Sequence, residues 1–242
     1  MSFKKKLRKI NRGLILGGIL LVGLIVHIVV DTVSFNNEKS VIRGVIEEYA
    51  SAMCTTIVTD NPEVDSEGKL TRRLKEDKAR KLEELISKYW TTDISGAEEY
   101  YYTKKNMDEW INNNYGEDNG SSCIVDSMAA NIKDIKVSKM GPNGAKVEVD
   151  IELITTMVGL TDLVFPFSYG NRHEVAGNIS DDSWETPVEQ LDAEYNGKNI
   201  KSERTFYNQT IILLKEQGEW KISSSVDYGS GCIAYLVEEE DM

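Results

Sequence analysis

Residues 14–30 form an unbroken run without formal charge, and no polar face recurs within it at helical spacing. A helix bathed in water keeps a polar stripe at a period of 3.6 residues, so this run predicts a helix in a different solvent. At ~1.5 Å per residue it reaches roughly 26 Å. Gly13, Thr32 and Val33 extend it toward the ~30 Å hydrocarbon thickness of a bilayer. Residues 13–33 are therefore expected to cross a membrane once. The run is too long for the apolar core of a cleaved signal peptide, and residues 31–35 make a poor cleavage site. A retained anchor is the expectation. His27, near one end, reads as tolerated at the interface.

Beyond the anchor the period is helical for about eighty residues. Val41, Val45, Ile46, Tyr49, Met53 and Ile57 recur at steps of three and four and predict a helix over 38–59, capped at Asn36 or Asn37 and stopped by Asn61-Pro62. Leu70, Leu74, Leu82, Leu85, Ile86 and Tyr89 form the stripe of a second helix over 70–90. Met107, Trp110 and Ile111 mark a short third one over 106–115. The stretch 94–102 has no clear period.

The period then drops to two. Ile135 and Val137 alternate with Lys136 and Ser138. After the turn signal Gly141-Pro142-Asn143-Gly144, Val147, Val149, Ile151 and Leu153 alternate with Lys146, Glu148, Asp150 and Glu152. This predicts a long antiparallel hairpin. Residues 160–169 read as a strand in which Pro166 calls for an edge position or a bend. Residues 170–202 are polar and irregular, which helical pieces around 187–195 or a flexible insertion would account for. Residues 204–214 form a strand, Gln217-Gly218 turns it, and Trp220, Ile222, Val226 and Tyr228 are expected on one face of the next strand. Residues 232–237 are an edge strand or a tail. Helices before strands predict an α+β layer, with helices packed on a curved antiparallel sheet in a cone-like arrangement behind an N-terminal transmembrane helix.

Charge adds direction. Lys4, Lys5, Lys6, Arg8, Lys9 and Arg12 precede the apolar run, and the first acidic residue is Asp31. The positive-inside rule places the N-terminus in the cytoplasm. Residues 1–12 then form a cytoplasmic basic tail and 34–237 an extracytoplasmic domain on a single-pass cell-membrane protein, with an irregular insertion at about 170–202 and an acidic tail at 238–242. The chain carries −12 overall, with +6 in its first thirty residues and thus −18 beyond them. Such a surface repels phosphate backbones, and no nucleic-acid partner is expected.

Candidate chemistry is sparse. Cys54, Cys123 and Cys232 allow at most one internal disulfide, with Cys123–Cys232 as one option beside three free thiols. Cys54, among Ala50, Met53 and Ile57, reads as a core residue. His173 lies in a polar loop, and Asp126, Asp134 and Asp162 lie near strands without a mark of burial. Asp181-Asp182 lacks the pattern of a calcium loop. No catalytic motif, metal site or cofactor is expected. Trp90, Tyr100, Tyr101 and Trp110 form an aromatic set that suits core packing and the rim of a cone about as well as a ligand pocket or an interface.

The closing hairpin Phe206-Tyr207-Asn208-Gln209-Thr210-Ile211-Ile212-Leu213-Leu214-Lys215-Glu216-Gln217-Gly218-Glu219-Trp220-Lys221-Ile222 resembles the end of nuclear-transport-factor-2-like, or cystatin-like, domains, where a strand, a short Gly turn and a G-x-W-K-I strand finish the fold. The resemblance covers about 38–228. It implies a cone with an apolar mouth, in a superfamily of isomerases, dehydratases, small-molecule binders and interaction domains. The layout of short basic tail, anchor and outer domain is similar to the inner-membrane assembly factor of type IV secretion and conjugation machines. The first expectation is thus a non-enzymatic protein-interaction domain in an envelope assembly, with other envelope proteins or itself as partner. The alternatives are a binder of a small apolar or amphipathic ligand in the cone, and an isomerase- or hydratase-like enzyme, which needs a buried carboxylate or imidazole.

Overall fold

The computed structural model describes residues 12–60, 62–66, 70–99, 101–116, 124–158, 164–165, 168–169, 199–226 and 230–236. It divides into two units, 1–41 and 42–242. Helix α1, Arg12–Ile57, contains both the apolar run and the first amphipathic stripe. The caps expected at Asn36 and Asn37 therefore lie inside a helix. No proline interrupts residues 12–57, and Thr32 returns its hydroxyl to the Ile28 carbonyl at 2.8 Å, so nothing forces a break. In the first unit the apolar residues from Leu16 to Val33 are exposed, and the helix is long and apolar enough to cross a membrane.

In the second unit α1 buries Ile42, Ile46, Tyr49, Met53 and Ile57 on one stripe. Helix α2, Arg72–Tyr89, buries Leu82, Leu85, Ile86 and Tyr89 and turns its charges outward. Pairs such as Arg72–Glu76 and Arg80–Glu84, each 2.8 Å and exposed, are screened by solvent and add little to stability. After strand β1, Tyr102–Thr103, comes helix α3, Lys104–Tyr115. Its start is closed by the Thr103 N–H, which donates to Asn106 Oδ1 at 2.8 Å.

Strands β2, Val125–Met140, and β3, Gly144–Val158, form the expected hairpin, longer than the alternation alone indicated. A small separate hairpin pairs β4, Val164–Phe165, with β5, Ser168–Tyr169. Strand β6, Asn199–Glu216, already begins within the stretch expected to be irregular. Strands β7, Glu219–Val226, and β8, Ser230–Leu236, complete a six-stranded antiparallel sheet in the order β1-β7-β6-β3-β2, with β8 also on β6. Both β7 and β8 pair antiparallel with β6, β7 along residues 210–216 and β8 along residues 200–206. The turn between β6 and β7 uses Gln217 at φ 52° and Gly218 at φ 91°, a left-handed pair suited to a tight hairpin.

The sheet face of Ala145, Val147, Val149, Ile151 and Leu153 is buried, and the intervening Lys146, Glu148, Asp150 and Glu152 point the other way. The helical stripes and this face form the core of an α+β domain with helices on a curved antiparallel sheet. One facing assignment is corrected. Ile222 pairs with Leu213, but Ser224 pairs with Ile212, so Ser223 is an extra residue that reverses the alternation. Val226 therefore lies on the opposite face from Ile222. The second face near Ile212 is covered by the 91–99 loop, where Ser223 Oγ donates to the Asp93 carbonyl at 2.6 Å. The helical pieces expected at 187–195, and Tyr228, lie outside the described residues.

Candidate functional site at the crease of the sheet

Two irregularities meet at the level of Asp150. Ile132 pairs with Ile151 and Asp134 with Asp150, which leaves Lys133 as an extra residue in β2. Val149 pairs with Gln209 and Ile151 with Phe206, so β6 places both Tyr207 and Asn208 opposite Asp150. Each bulge bends its strand and increases local twist. Aligned across the sheet they make a transverse crease.

Gln209 sits beside that crease. Paired residues of an antiparallel ladder point to one face, so its side chain shares the buried face with Val149, Val147, Ile151 and Ile211. Its exposure is 0%, and neither amide atom has a hydrogen-bond partner. The Thr155 hydroxyl, farther along the same face of β3, and the Trp110 indole N–H are also buried without a partner. Buried polar atoms in folded proteins are nearly always satisfied by protein, water or ligand.

The aromatic candidates separate. Trp90 ends α2, is buried and forms a parallel bridge with Ile222. Its ring stands 6.1 Å from that of Tyr49, which in turn lies 5.4 Å from Tyr89. Trp110 is buried on α3 with its ring 5.7 Å from Tyr115. Tyr101 is half-buried in the loop before β1. Tyr100 and Cys123 lie outside the described residues, as does the side chain of Cys232. Cys54 is a buried free thiol.

Among the carboxylates near strands, Asp126 is pushed above its ordinary value by partial burial at the bulge that opens β2, and Asp134 is exposed. Asp162, His173 and Asp181-Asp182 lie outside the described residues. Among the described residues no three His, Cys, Asp or Glu side chains converge as a metal site would require.

A groove of about 630 Å³ lies between the end of α1 and α2 and is lined by Thr56, Asp60, Asp77, Lys78, Lys81 and Glu84 among others. Lys78 is buried at its floor. Its ammonium donates to the carbonyls of Thr56 at 2.7 Å, Ile57 at 2.8 Å and Val58. These are the orphan acceptors at a helix C-terminus. Lys78 is thus committed to closing α1.

No protein-family model matches the chain, and no curated protein matches it. Two solved structures are similar to it. One is a hexachlorocyclohexane dehydrochlorinase, LinA type 2, at 10% identity and a TM-score of 0.39, covering 84% of this chain and 94% of that one. The other is the LinA type 3 hexachlorocyclohexane dehydrochlorinase of Novosphingobium barchaimii LL02, at 9% identity and a TM-score of 0.36, covering 84% and 91%. Both belong to the cystatin-like class expected from the closing hairpin. Both are also enzymes, which corrects the expectation of a domain without catalytic activity: the fold gives no ground for excluding catalysis.

The crease was not visible in the sequence, because bulges interrupt alternation without leaving a turn residue. The signal available was the alternation of Gln209 with Ile211 and Leu213, which places an amide at a core position.

Proposed function

We propose that the chain is a single-pass membrane protein, N-terminus inside, whose outer domain holds a small amphipathic molecule between its helices and the crease of its sheet. The observation that carries this reading is Gln209, fully shielded and unpartnered within an aliphatic face. Ligand sites are mostly apolar with a few polar groups that fix orientation. Bulges, which re-aim side chains, concentrate near such sites. The basic tail ahead of the anchor supports the orientation.

One observation favours a second reading. Tyr49, Trp90, Trp110 and Tyr115 fill much of the helix layer, which suits an outer domain that docks on partners in an envelope assembly. The layout similar to type IV secretion and conjugation assembly factors agrees with that role.

Native mass spectrometry of the full chain, released from mild detergent, separates the two. A bound small molecule that leaves on activation supports the first reading. A bare chain, together with no change in thermal unfolding across a fragment set, overturns it. Protease shaving of intact cells tests the orientation, with loss of the outer domain expected and full protection the contrary result.

A further inference from the structure

Resting on the ligand-binding reading, we infer that Gln209 determines specificity at the crease and reads a neutral head group that offers a donor and an acceptor side by side, as a primary carboxamide or an undissociated carboxyl does. A carboxamide presents one acceptor oxygen and an NH₂ donor in a single plane. Both ends of this one are shielded and without partners. Leaving such groups bare costs about 1–3 kcal/mol each, whereas the paired and flanking positions of the same face hold Val149, Ile151 and Ile211. The amide is therefore an expensive choice for packing alone, and a planar head pairing with both ends would remove the cost.

The same face argues for neutrality. Val147, Val149, Ile151 and Ile211 surround the amide in the ladder, while Lys146, Glu148 and Asp150 point to the opposite face. Beside Val147, Val149, Ile151 and Ile211 a charged head would lose its hydration with no counter-ion from these four residues, which is costly in an apolar layer. The aliphatic neighbours call for a hydrocarbon tail on the ligand.

The test uses the full chain in nanodiscs, labelled with ¹⁵N-glutamine. The sequence has three glutamines, Gln190, Gln209 and Gln217, so three side-chain NH₂ pairs result. Butyramide and 2-pentanone are the probes; they share shape and acceptor, and only the first carries the donor. Butyramide is expected to move the pair that disappears in Gln209→Leu, and to bind about tenfold more tightly than 2-pentanone. Gln209→Leu should abolish that preference while keeping 2-pentanone binding. Should Gln209→Leu fail to fold, Gln209→Met replaces it. Equal binding of both probes to the wild type overturns the role of Gln209 and leaves the ligand reading standing. Binding of neither probe, with the Gln209 NH₂ in contact only with a long-lived water, overturns both.

Discussion

The Lys78 ammonium lies 2.8 Å from the carbonyl oxygen of Ile57, the last residue of α1, and it also receives the carbonyls of Thr56 and Val58. One buried cation on α2 thus closes the C-terminus of α1, where the helix dipole leaves partial negative charge. Lys78→Met keeps the aliphatic stem and removes the donor, leaving shielded acceptors behind. It should lower stability by about 2–3 kcal/mol, read as a fall in the thermal midpoint of the full chain in detergent. Lys78→Arg should recover part of the loss. An unchanged midpoint in Lys78→Met would show that water replaces the ammonium freely.

Gly144 opens β3 where the hairpin is tightest. A Cβ there would stand 2.3 Å from the Met140 carbonyl oxygen, inside any tolerable contact with backbone. Gly144→Ala should therefore force the turn open and cost about 2 kcal/mol. At Gly218 the surrounding space is empty and only the positive φ opposes a side chain, so Gly218→Ala should cost nearer ~1 kcal/mol. Urea titrations of the two variants should show that order, and a reversed order would mean that the β2–β3 turn relaxes easily.

Arg43 Nη2 donates to the Ile135 carbonyl at 3.1 Å and so covers part of β2, which ends the strand order of the sheet. Uncovered edges recruit other strands. Arg43→Ala should leave stability within ~1 kcal/mol but raise concentration-dependent association, measured by sedimentation in detergent. Identical sedimentation of variant and wild type would assign no protective role to this contact.

The elements that could be read from the sequence are those held by one unbroken period. The stripe from Ile46 to Ile57, the stripe of α2 and the alternation from Val147 to Leu153 each repeat long enough to fix a buried face, whereas Val41, expected on the first stripe, is exposed and Ile42 is buried in its place. What escaped were places where the period slips by one residue. Ser223 sends Val226 to the other face, and Lys133 and the Tyr207-Asn208 pair build the crease. Such slips depend on the partner strand, which local sequence does not specify. Sequence alone leaves Trp90 and Trp110 suited to core or rim packing as well as to a ligand pocket. The bridge from Trp90 to Ile222 and the position of Trp110 on the inner face of α3 bury both.

The 91–99 loop offers a test by pH. The Asp93 carboxylate accepts from the Ser95 hydroxyl at 2.6 Å and from the Ser95 amide at 2.9 Å, and these bonds hold its pKa below the ordinary carboxylate value. With the folded value lower than the unfolded one, the contribution to stability is complete above the unfolded pKa of about 4 and is lost as pH falls through the folded value. The loop is also tied to the sheet through the Asp93 carbonyl and Ser223. Acidification should therefore speed hydrogen exchange at the Ser95 amide before it affects β3 and β6. Asp93→Asn keeps an acceptor but cannot ionise, so its Ser95 exchange, corrected for the intrinsic chemical rate, should no longer show that step. A persistent step in Asp93→Asn would move the titration to another group and detach the loop from this carboxylate.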